Sequence, residues 1–226
     1  MTANAFLLGL KAHFTDDQIR RLGSVCVGIA GAGGLGSNVA VHLVRSGIRR
    51  LVVVDFDHVA PSNLNRQFFF SDQVGMPKVE ALSINLARVN PQIEIQALNL
   101  RLNADNVHKI LEKCQILVEA LDDAQGKKMM AEAFITDPRL LVCASGIGGW
   151  GDSNRITTRL VRDTFCLVGD GKSEISATRP PTSAIVGLAA AKQADAVIEK
   201  ILNNRVQGFE GSNEGTCLFT LDPLNP

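Results

Sequence analysis

The sequence lacks the cysteine pairs that would build a zinc knuckle or a disulfide framework. Its five cysteines are an odd number, lie far apart and include no C-x-x-C pair. Three of them, Cys26, Cys114 and Cys143, stand in or beside apolar runs, where a buried and unreactive thiol is the expected state. We therefore expect neither a structural zinc ion nor a set of disulfide bonds.

An excess of one charge and a long apolar run are also missing. Lys+Arg and Asp+Glu are both 23, so the formal net charge is zero, whereas nucleic-acid-binding proteins usually carry a basic excess. No apolar run approaches the roughly 20 residues of a membrane span. The apolar stretch 5–10 is too short for a signal peptide. We expect a cytoplasmic protein that binds no membrane and is not built to bind nucleic acid.

What the sequence does contain is an alternation of strand and helix patterns. Thr15 and Gln18 form a capping-box pattern that predicts a short helix ending near Gly23. Continuous apolar runs predict strands at 25–30, 51–55, 93–100, 116–121 and 140–145. Amphipathic spacing predicts helices at 37–45, 77–89, 103–112 and 125–135. The expected inward residues are Val39, Leu43 and Val44 in one helix, and Ala81, Leu82, Ile84, Leu86 and Val89 in the next.

The pattern changes after residue 145. A glycine-rich loop at 146–151 precedes two short strands, 155–161 and 165–168, and a polar crossover at 172–181 leads into a long apolar helix at 184–202. The repeated strand–helix units predict an α/β protein with a Rossmann-like, doubly wound, mostly parallel sheet and a few antiparallel strands toward the C-terminus. We expect one domain over residues 1–226, with a core at about 20–204 and a tail at 205–226.

A glycine turn follows the first strand with the spacing Gly31-x-Gly33-x-x-Gly36. Such a turn between a strand and a helix lets the backbone and the helix N-terminus approach phosphates. Asp55, at the end of the second strand, is placed to bind ribose hydroxyls. Taken alone, this unit favours an NAD-dependent dehydrogenase, with a turn that binds nothing as the structural alternative.

The residues after Asp55 favour a triphosphate instead. Arg66 and Lys78 supply cations within one turn-rich segment, and a triphosphate has about twice the charge of a pyrophosphate to accommodate. Asp122 and Asp123 follow a strand directly, where a carboxylate can hold magnesium against phosphates. Each feature has an ordinary structural interpretation, as solvated cations or a helix N-cap. Their expected place on one sheet edge favours the functional interpretation.

These motifs together resemble the ThiF/MoeB/HesA superfamily, which includes the adenylation domains of ubiquitin-activating enzymes. The similarity is greatest to the short ThiF-like proteins, and it covers about residues 20–204. The segments that carry it are Gly31-Ala-Gly-Gly-Leu-Gly36, Asp55-x-Asp57, Ser62-Asn-Leu-Asn-Arg-Gln67, Gly75-x-Pro-Lys78, Leu121-Asp-Asp123, and the stretches 66–71 and 144–151.

The resemblance implies ATP-dependent adenylation of the C-terminal Gly-Gly carboxylate of a ThiS-like sulfur carrier, with release of pyrophosphate. It implies ATP and Mg²⁺ as cofactors, a homodimer, and no protein nucleophile. The catalytic residues would be Arg66, Lys78 and Asp122, with Asp122 organising magnesium. The implied ATP-binding residues are Gly31, Gly33, Gly34, Gly36, Asp55, Asp57, Asn63, Arg66, Gln67, Lys78 and Asp122.

Three departures from the family pattern limit this prediction. The two C-x-x-C pairs that hold zinc in many relatives are absent. The crossover position that carries a cysteine in many relatives falls near Ser176, which leaves Cys166, ten residues earlier, as a weak substitute. No arginine precedes Arg20 to reach a neighbouring subunit's ATP, although Lys11 or Arg20 could replace it. The prediction is therefore adenylation, with sulfur coming from an outside donor.

Three other functions remain open at this point. An NAD(P)-dependent oxidoreductase would not need the charged segment 63–78. An ATP-dependent dehydratase of a modified tRNA base, from the same superfamily, fits less well with the zero net charge. A scaffold without activity would not need Arg66, Lys78 and Asp122.

Overall fold

The computed structural model of the protein describes residues 5–203. The strands are β1 Cys26–Ala30, β2 Arg50–Val54, β3 Glu94–Leu98, β4 Ile116–Glu119, β5 Leu140–Ala144, β6 Thr157–Arg162 and β7 Phe165–Gly169. The helices are α1 Ala5–Lys11, α2 Asp16–Ser24, α3 Gly34–Arg45, α4 Lys78–Val89, α5 Val107–Ile110, α6 Ala124–Phe134 and α7 Ser183–Asn203. Short 3₁₀ turns lie at Pro61–Asn63, Ser71–Gln73 and Ser153–Arg155.

The seven strands form one sheet in the order β3-β2-β1-β4-β5-β7-β6. Every neighbouring pair is parallel except β6 and β7, so the prediction of a mostly parallel Rossmann-like sheet is confirmed. The chain winds outward from β1 to β3 and then returns to β4 on the other side of β1. In open α/β sheets ligands bind at this switch point, beyond the carboxyl ends of the strands.

Apolar side chains cover both faces of the central strands. All five residues of β1 are buried, as are all five of β5. One face packs against α3, α4 and α7, whose buried residues share a core with Ile29 and Val118. The other face packs against α5 and α6, around Leu117 and Phe134. Burial on both faces explains why these strands read as unbroken apolar runs.

The capping box and the helix-ending glycine are present. The amide of Gln18 donates to Oγ1 of Thr15 at 3.2 Å, and the amide of Thr15 donates back to Oε1 of Gln18 at 2.9 Å. Gly47 follows the C-cap of α3 with φ +106°, a conformation that favours glycine. The expected inward residues Val39, Leu43 and Val44 are all fully buried.

Two local predictions were wrong. The helix expected at 103–112 is a single turn, α5, preceded by a turn in which Oδ1 of Asn103 accepts the amides of Asp105 and Asn106. Ile84, expected to face inward, is 49% exposed. It lies two positions from Leu82 and two from Leu86, which places it on the opposite side of a helix of 3.6 residues per turn.

The predicted tail 205–226, with its apolar patch at 217–221, lies outside the described residues. The single-domain division over 1–226 therefore stays a prediction. None of the helices within residues 5–203 is long and apolar enough to cross a membrane.

Candidate nucleotide site

The glycine turn joins β1 to α3 at the switch point of the sheet. Gly31 has φ +100°, and a Cβ placed on Gly36 would lie 1.8 Å from the carbonyl oxygen of Gly31, so only glycine fits at position 36. The N-cap of α3 is Gly33, which offers no side chain to the first amides of the helix. Those amides and the positive end of the helix dipole are therefore available to an anion.

Asp55 closes the turn from the end of β2. Its Oδ2 accepts the amide of Ala32 at 2.6 Å, and its Oδ1 accepts the amide of Asp57 at 2.8 Å. The carboxylate is therefore fixed beside the turn and still has free lone pairs for hydroxyl donors. The guanidinium of Arg101 lies 3.9 Å from the centre of the Phe56 ring, a contact that the sequence did not predict.

The segment after Asp55 folds back over the glycine turn. Nδ2 of Asn38, on α3, donates to the carbonyls of Gly34 and Arg66, at 2.7 and 2.9 Å. The aliphatic part of Arg66 passes 3.7 Å from where a Cβ of Gly34 would stand. Nη1 of Arg66 donates to the carbonyl of Ser62 at 2.9 Å, which leaves the other guanidinium nitrogen atoms for a ligand.

Gln67 lies beside the same turn. Its side chain is 9% exposed, and its buried Oε1 has no hydrogen-bond partner. Its Nε2 is 3.9 Å from where a Cβ of Gly33 would stand. A buried amide group without a partner is costly in a folded protein. A ligand would satisfy this oxygen only with a donor group such as a hydroxyl, whereas a phosphate oxygen would have to accept from Nε2 of Gln67.

Lys78 and Asn63 are partly engaged within the protein. Nζ of Lys78 lies 2.7 Å from Oδ2 of Asp57, and the lysine side chain is 8% exposed. Oδ1 of Asn63 accepts the amide of Ala60 at 3.0 Å, which leaves only its Nδ2 for a phosphate. The structure therefore places Lys78 against Asp57, a pairing that the sequence alone did not identify.

The two acids after β4 have different roles. Asp123 is the N-cap of α6, where its Oδ1 accepts the amide of Gly126 at 2.7 Å. Asp122 is exposed at the sheet edge, and its carboxylate has no hydrogen-bond or ion-pair partner among residues 5–203. The N-cap interpretation thus holds for Asp123 and leaves Asp122 available.

The residues present fit a magnesium ion that comes with its nucleotide. Within residues 5–203 no group of three His, Cys, Asp or Glu side chains could hold a metal alone. Magnesium commonly uses one or two carboxylates together with phosphate oxygens and water. Asp122 can supply the one carboxylate, and the glycine turn lies beside the same loop.

The sequence did not predict an ion pair under this loop, between a buried acid and a partly exposed lysine. Nζ of Lys127 contacts both carboxylate oxygens of Glu119, which is 1% exposed. Burial raises the pKa of Glu119 above its usual range, although the interaction with Lys127 offsets part of that effect. The one sequence feature that could have indicated this pair is the position of Glu119, a single acid inside the apolar run 116–121.

Cys166 is a packed thiol rather than a reactive one. It is 2% exposed in β7, and burial raises its pKa to about 11. Ser176, at the position matched to the family cysteine, is exposed and hydrogen-bonds to the backbone amide of Arg179 at 3.1 Å. The described residues thus place no low-pKa cysteine on the crossover.

The beginning of the crossover 172–181 is hydrogen-bonded to the glycine-rich loop 146–151 through Asp170 and Arg155. Asp170 accepts from Nη1 of Arg155 at 2.8 Å and from the amides of Lys172 and Ser173, each at 2.8 Å. Nη2 of Arg155 donates to the carbonyl of Gly148 at 2.7 Å. Burial raises the pKa of Asp170, but the hydrogen bonds from Ser173, Lys172 and Arg155 outweigh it and hold that pKa well below the usual range.

Comparison with known proteins identifies the family. The model of the ThiF family matches residues 8–220. The chain belongs to the ThiF family. Among its relatives are the adenylyltransferase and sulfurtransferase MOCS3 of Anopheles gambiae, 30% identical over 91% of this chain and 49% of that protein, and the molybdopterin-synthase adenylyltransferase of Haemophilus influenzae, 36% identical over 43% of this chain and 40% of that protein.

A solved structure shares the fold. The tRNA N6-threonylcarbamoyladenosine dehydratase of E. coli superposes with a TM-score of 0.79 in its AMP complex, at 18% identity, over 86% of this chain and 93% of that one. Its ATP complex gives a TM-score of 0.78. This ThiF-family chain spans about half or less of the length of the curated relatives above.

Proposed function

We propose that this protein uses ATP to adenylylate the C-terminal carboxylate of a small ubiquitin-like sulfur-carrier protein. One observation carries the proposal: the glycine turn, the carboxylate of Asp55 and the segment that carries Arg66 and Gln67 meet at one switch point of the sheet. Asp55 bonds to the turn at Ala32, Arg66 runs along Gly34, and Gln67 faces Gly33. The relatives named adenylyltransferases support the same reaction class.

In the proposed reaction a carboxylate oxygen of the carrier attacks the α-phosphorus of ATP. The bond from that phosphorus to the oxygen that bridges to the β-phosphate breaks, pyrophosphate leaves, and an acyl-adenylate forms. No proton has to move and no protein nucleophile is needed. The protein acts by positioning two anions and by stabilising charge in the transition state.

Each site residue has a role in this step. The α3 amides and Gln67 would hold phosphates, Asp55 the ribose, and Asn63 a phosphate oxygen. Arg66 and Lys78 would stabilise charge on the phosphates, Lys78 exchanging part of its contact with Asp57 for the ligand. Asp122 would hold magnesium, which when bound neutralises phosphate charge.

The carrier that we propose is ThiS-like and ends in Gly-Gly, and the setting is the cytoplasm, where ATP is available. A homodimer and a separate sulfur donor complete the proposal. The thiols on the described residues do not favour a covalent relay, since Cys26, Cys114, Cys143 and Cys166 are all buried.

ATP–pyrophosphate exchange with and without a Gly-Gly carrier tests the proposal. We expect magnesium-dependent exchange only when the carrier is present. Removing one charge-stabilising group costs about 10²–10³ in rate, so Arg66→Ala and Asp122→Ala should each lose exchange by that order. The matched control is Arg88→Ala, because Arg88 is an exposed arginine on α4, with its guanidinium 5.9 Å from the Phe70 ring centre.

Other outcomes point elsewhere. ATP binding without exchange for any Gly-Gly carrier would favour the tRNA-dehydratase alternative or a scaffold. NADH binding in place of ATP would favour the oxidoreductase. An Arg66→Ala protein with undiminished exchange would remove Arg66 from the mechanism.

A further inference from the structure

The ion pair between the buried Glu119 and the partly exposed Lys127 lies under the loop that carries Asp122. Glu119 is the last residue of β4, and its two oxygens accept from Nζ of Lys127 on α6 at 2.9 and 3.1 Å. Oε1 also accepts the backbone amide of Leu121 at 2.8 Å. The carboxylate therefore fixes the backbone immediately before Asp122.

Lys127 also ties β4 to β5. Its Nζ lies 3.0 Å from the carbonyl oxygen of Ala144, the last residue of β5. On the opposite face of the sheet, Nε2 of Gln193, on α7, donates to the carbonyls of Glu119 and Val142 at 3.0 and 3.3 Å. β4 and β5 are thus linked near their carboxyl ends from the α6 side and from the α7 side.

The loop held in this way packs directly on the glycine turn. A Cβ on Gly31 would lie 2.6 Å from the carbonyl oxygen of Ala120, and a Cβ on Gly36 would lie 3.3 Å from the Cβ of Ala120. The amide of Ala120 donates to the carbonyl of Ala30 at 2.8 Å. Because no space separates loop from turn, a displacement of the loop would change the position of Asp122 relative to the phosphates.

Stability alone does not account for an ion pair at this place. Glu119 is buried while the Lys127 side chain is 31% exposed, and the desolvation of a buried carboxylate offsets much of the attraction within such a pair. An apolar pair would not accept a hydrogen bond from the amide of Leu121 or donate one to the carbonyl of Ala144. Buried polar groups without a hydrogen-bond partner lower the stability of the fold. Glu119 and Lys127 therefore contribute hydrogen bonds that fix the backbone of the loop, which an apolar pair could not do.

We propose that Glu119 and Lys127 are positioning residues, which hold Asp122 where its carboxylate meets the magnesium and phosphates of the bound nucleotide. The proposal rests on the adenylylation proposed above. Neither side chain needs to touch the nucleotide. Partners that orient a metal ligand typically change metal affinity by roughly 10–100-fold when they are removed.

The test compares ATP affinity, measured by calorimetry, with Mg²⁺ and with EDTA. The variants are Lys127→Met, Lys127→Arg and a double variant with Glu119→Met and Lys127→Met, which can neither accept the amide of Leu121 nor donate to the carbonyl of Ala144. The control is Lys128→Met on the same helix, because Lys128 forms an exposed pair with Glu132 at 3.6 Å. Melting temperatures of all four report on folding.

We expect Lys127→Met to reduce the magnesium-dependent gain in ATP affinity about tenfold or more, with the affinity in EDTA nearly unchanged. The double variant leaves no charge unpaired, so its melting temperature should be higher than that of Lys127→Met, while its magnesium-dependent gain in ATP affinity should stay reduced. Lys127→Arg retains a cation, so it should keep most of the magnesium-dependent gain in ATP affinity. Lys128→Met should keep all of it.

Two results would overturn the proposal, and they differ. If the folded double variant keeps the magnesium-dependent gain in ATP affinity of the wild type, the positioning role is excluded and the proposed function is left intact. The absence of any magnesium-dependent gain in the wild-type protein would refute the positioning role together with the role of Asp122 in the proposed function.

Discussion

The ammonium of Lys78 lies 2.7 Å from Oδ2 of Asp57, although the two side chains differ in exposure, 8% against 46%. A nearly buried cation is thus held by a carboxylate that solvent and ligands can reach. An incoming phosphate can take over part of the contact without leaving the cation unpaired, because Asp57 can turn toward water. The pair therefore keeps a buried charge in place before the ligand arrives.

This arrangement predicts unequal effects for its two members. Lys78→Gln removes the cation, and we expect ATP–pyrophosphate exchange to fall by about 10²–10³. Asp57→Asn keeps an acceptor for the lysine, so exchange should fall less, while the unfolding free energy drops by about 1–3 kcal/mol. Exchange assays and urea unfolding measure the two quantities. Exchange by Lys78→Gln within a few-fold of the wild type would contradict the role of Lys78.

Two glycines on helices should respond in opposite ways to alanine. Gly36→Ala places a Cβ 1.8 Å from the carbonyl oxygen of Gly31, so the turn must open. We expect a loss of both stability and ATP binding. Gly187, inside α7, has nothing within 4 Å of an added Cβ, and alanine there should stabilise the helix by about 0.5–1 kcal/mol. Thermal unfolding of both variants checks the contrast, and a stable Gly36→Ala protein that binds ATP would exclude the tight packing.

The Asp170–Arg155 contact predicts a pH dependence with a definite sign. The pKa of Asp170 is lower in the folded protein than in the unfolded chain, where it is about 3.9. Its contribution to stability is therefore complete above about pH 4 and is lost as the pH falls toward the folded pKa. Asp170→Asn should be less stable than the wild type at pH 7 and pH 5, and the difference should shrink below pH 4. Urea unfolding across this range is the measurement, and a difference that grows on acidification would contradict the assignment.

Cys166 should be dispensable for adenylylation. Because burial raises its pKa to about 11, almost none of it is thiolate at pH 7.5. Iodoacetamide treatment of the native protein, followed by peptide mass spectrometry, should leave Cys166 unmodified, and unfolding in guanidinium should expose it. Cys166→Ala should keep wild-type exchange. Rapid labelling of native Cys166 would reopen a role in sulfur transfer.

Much of the fold could be predicted from local signals. The apolar runs marked the central strands because both faces of those strands are covered, and the glycine spacing marked the turn because position 36 allows no side chain. Local patterning failed in two places. The segment 103–112 contains one helical turn in place of a full helix, and Ile84 looked like a core residue although it faces outward.

The sequence by itself determined the elements, their order and the residue types at the switch point, because periodicity and turn chemistry act over a few neighbouring residues. Only the tertiary structure decided which of two adjacent acids is free and that Lys78 meets Asp57. The same holds for the pairing of Glu119 with Lys127 and for the hydrogen bond to the carbonyl of Glu119 from Gln193, which is 74 positions further along the chain. Those choices depend on groups brought together by the packing of helices on the sheet, which no local pattern encodes.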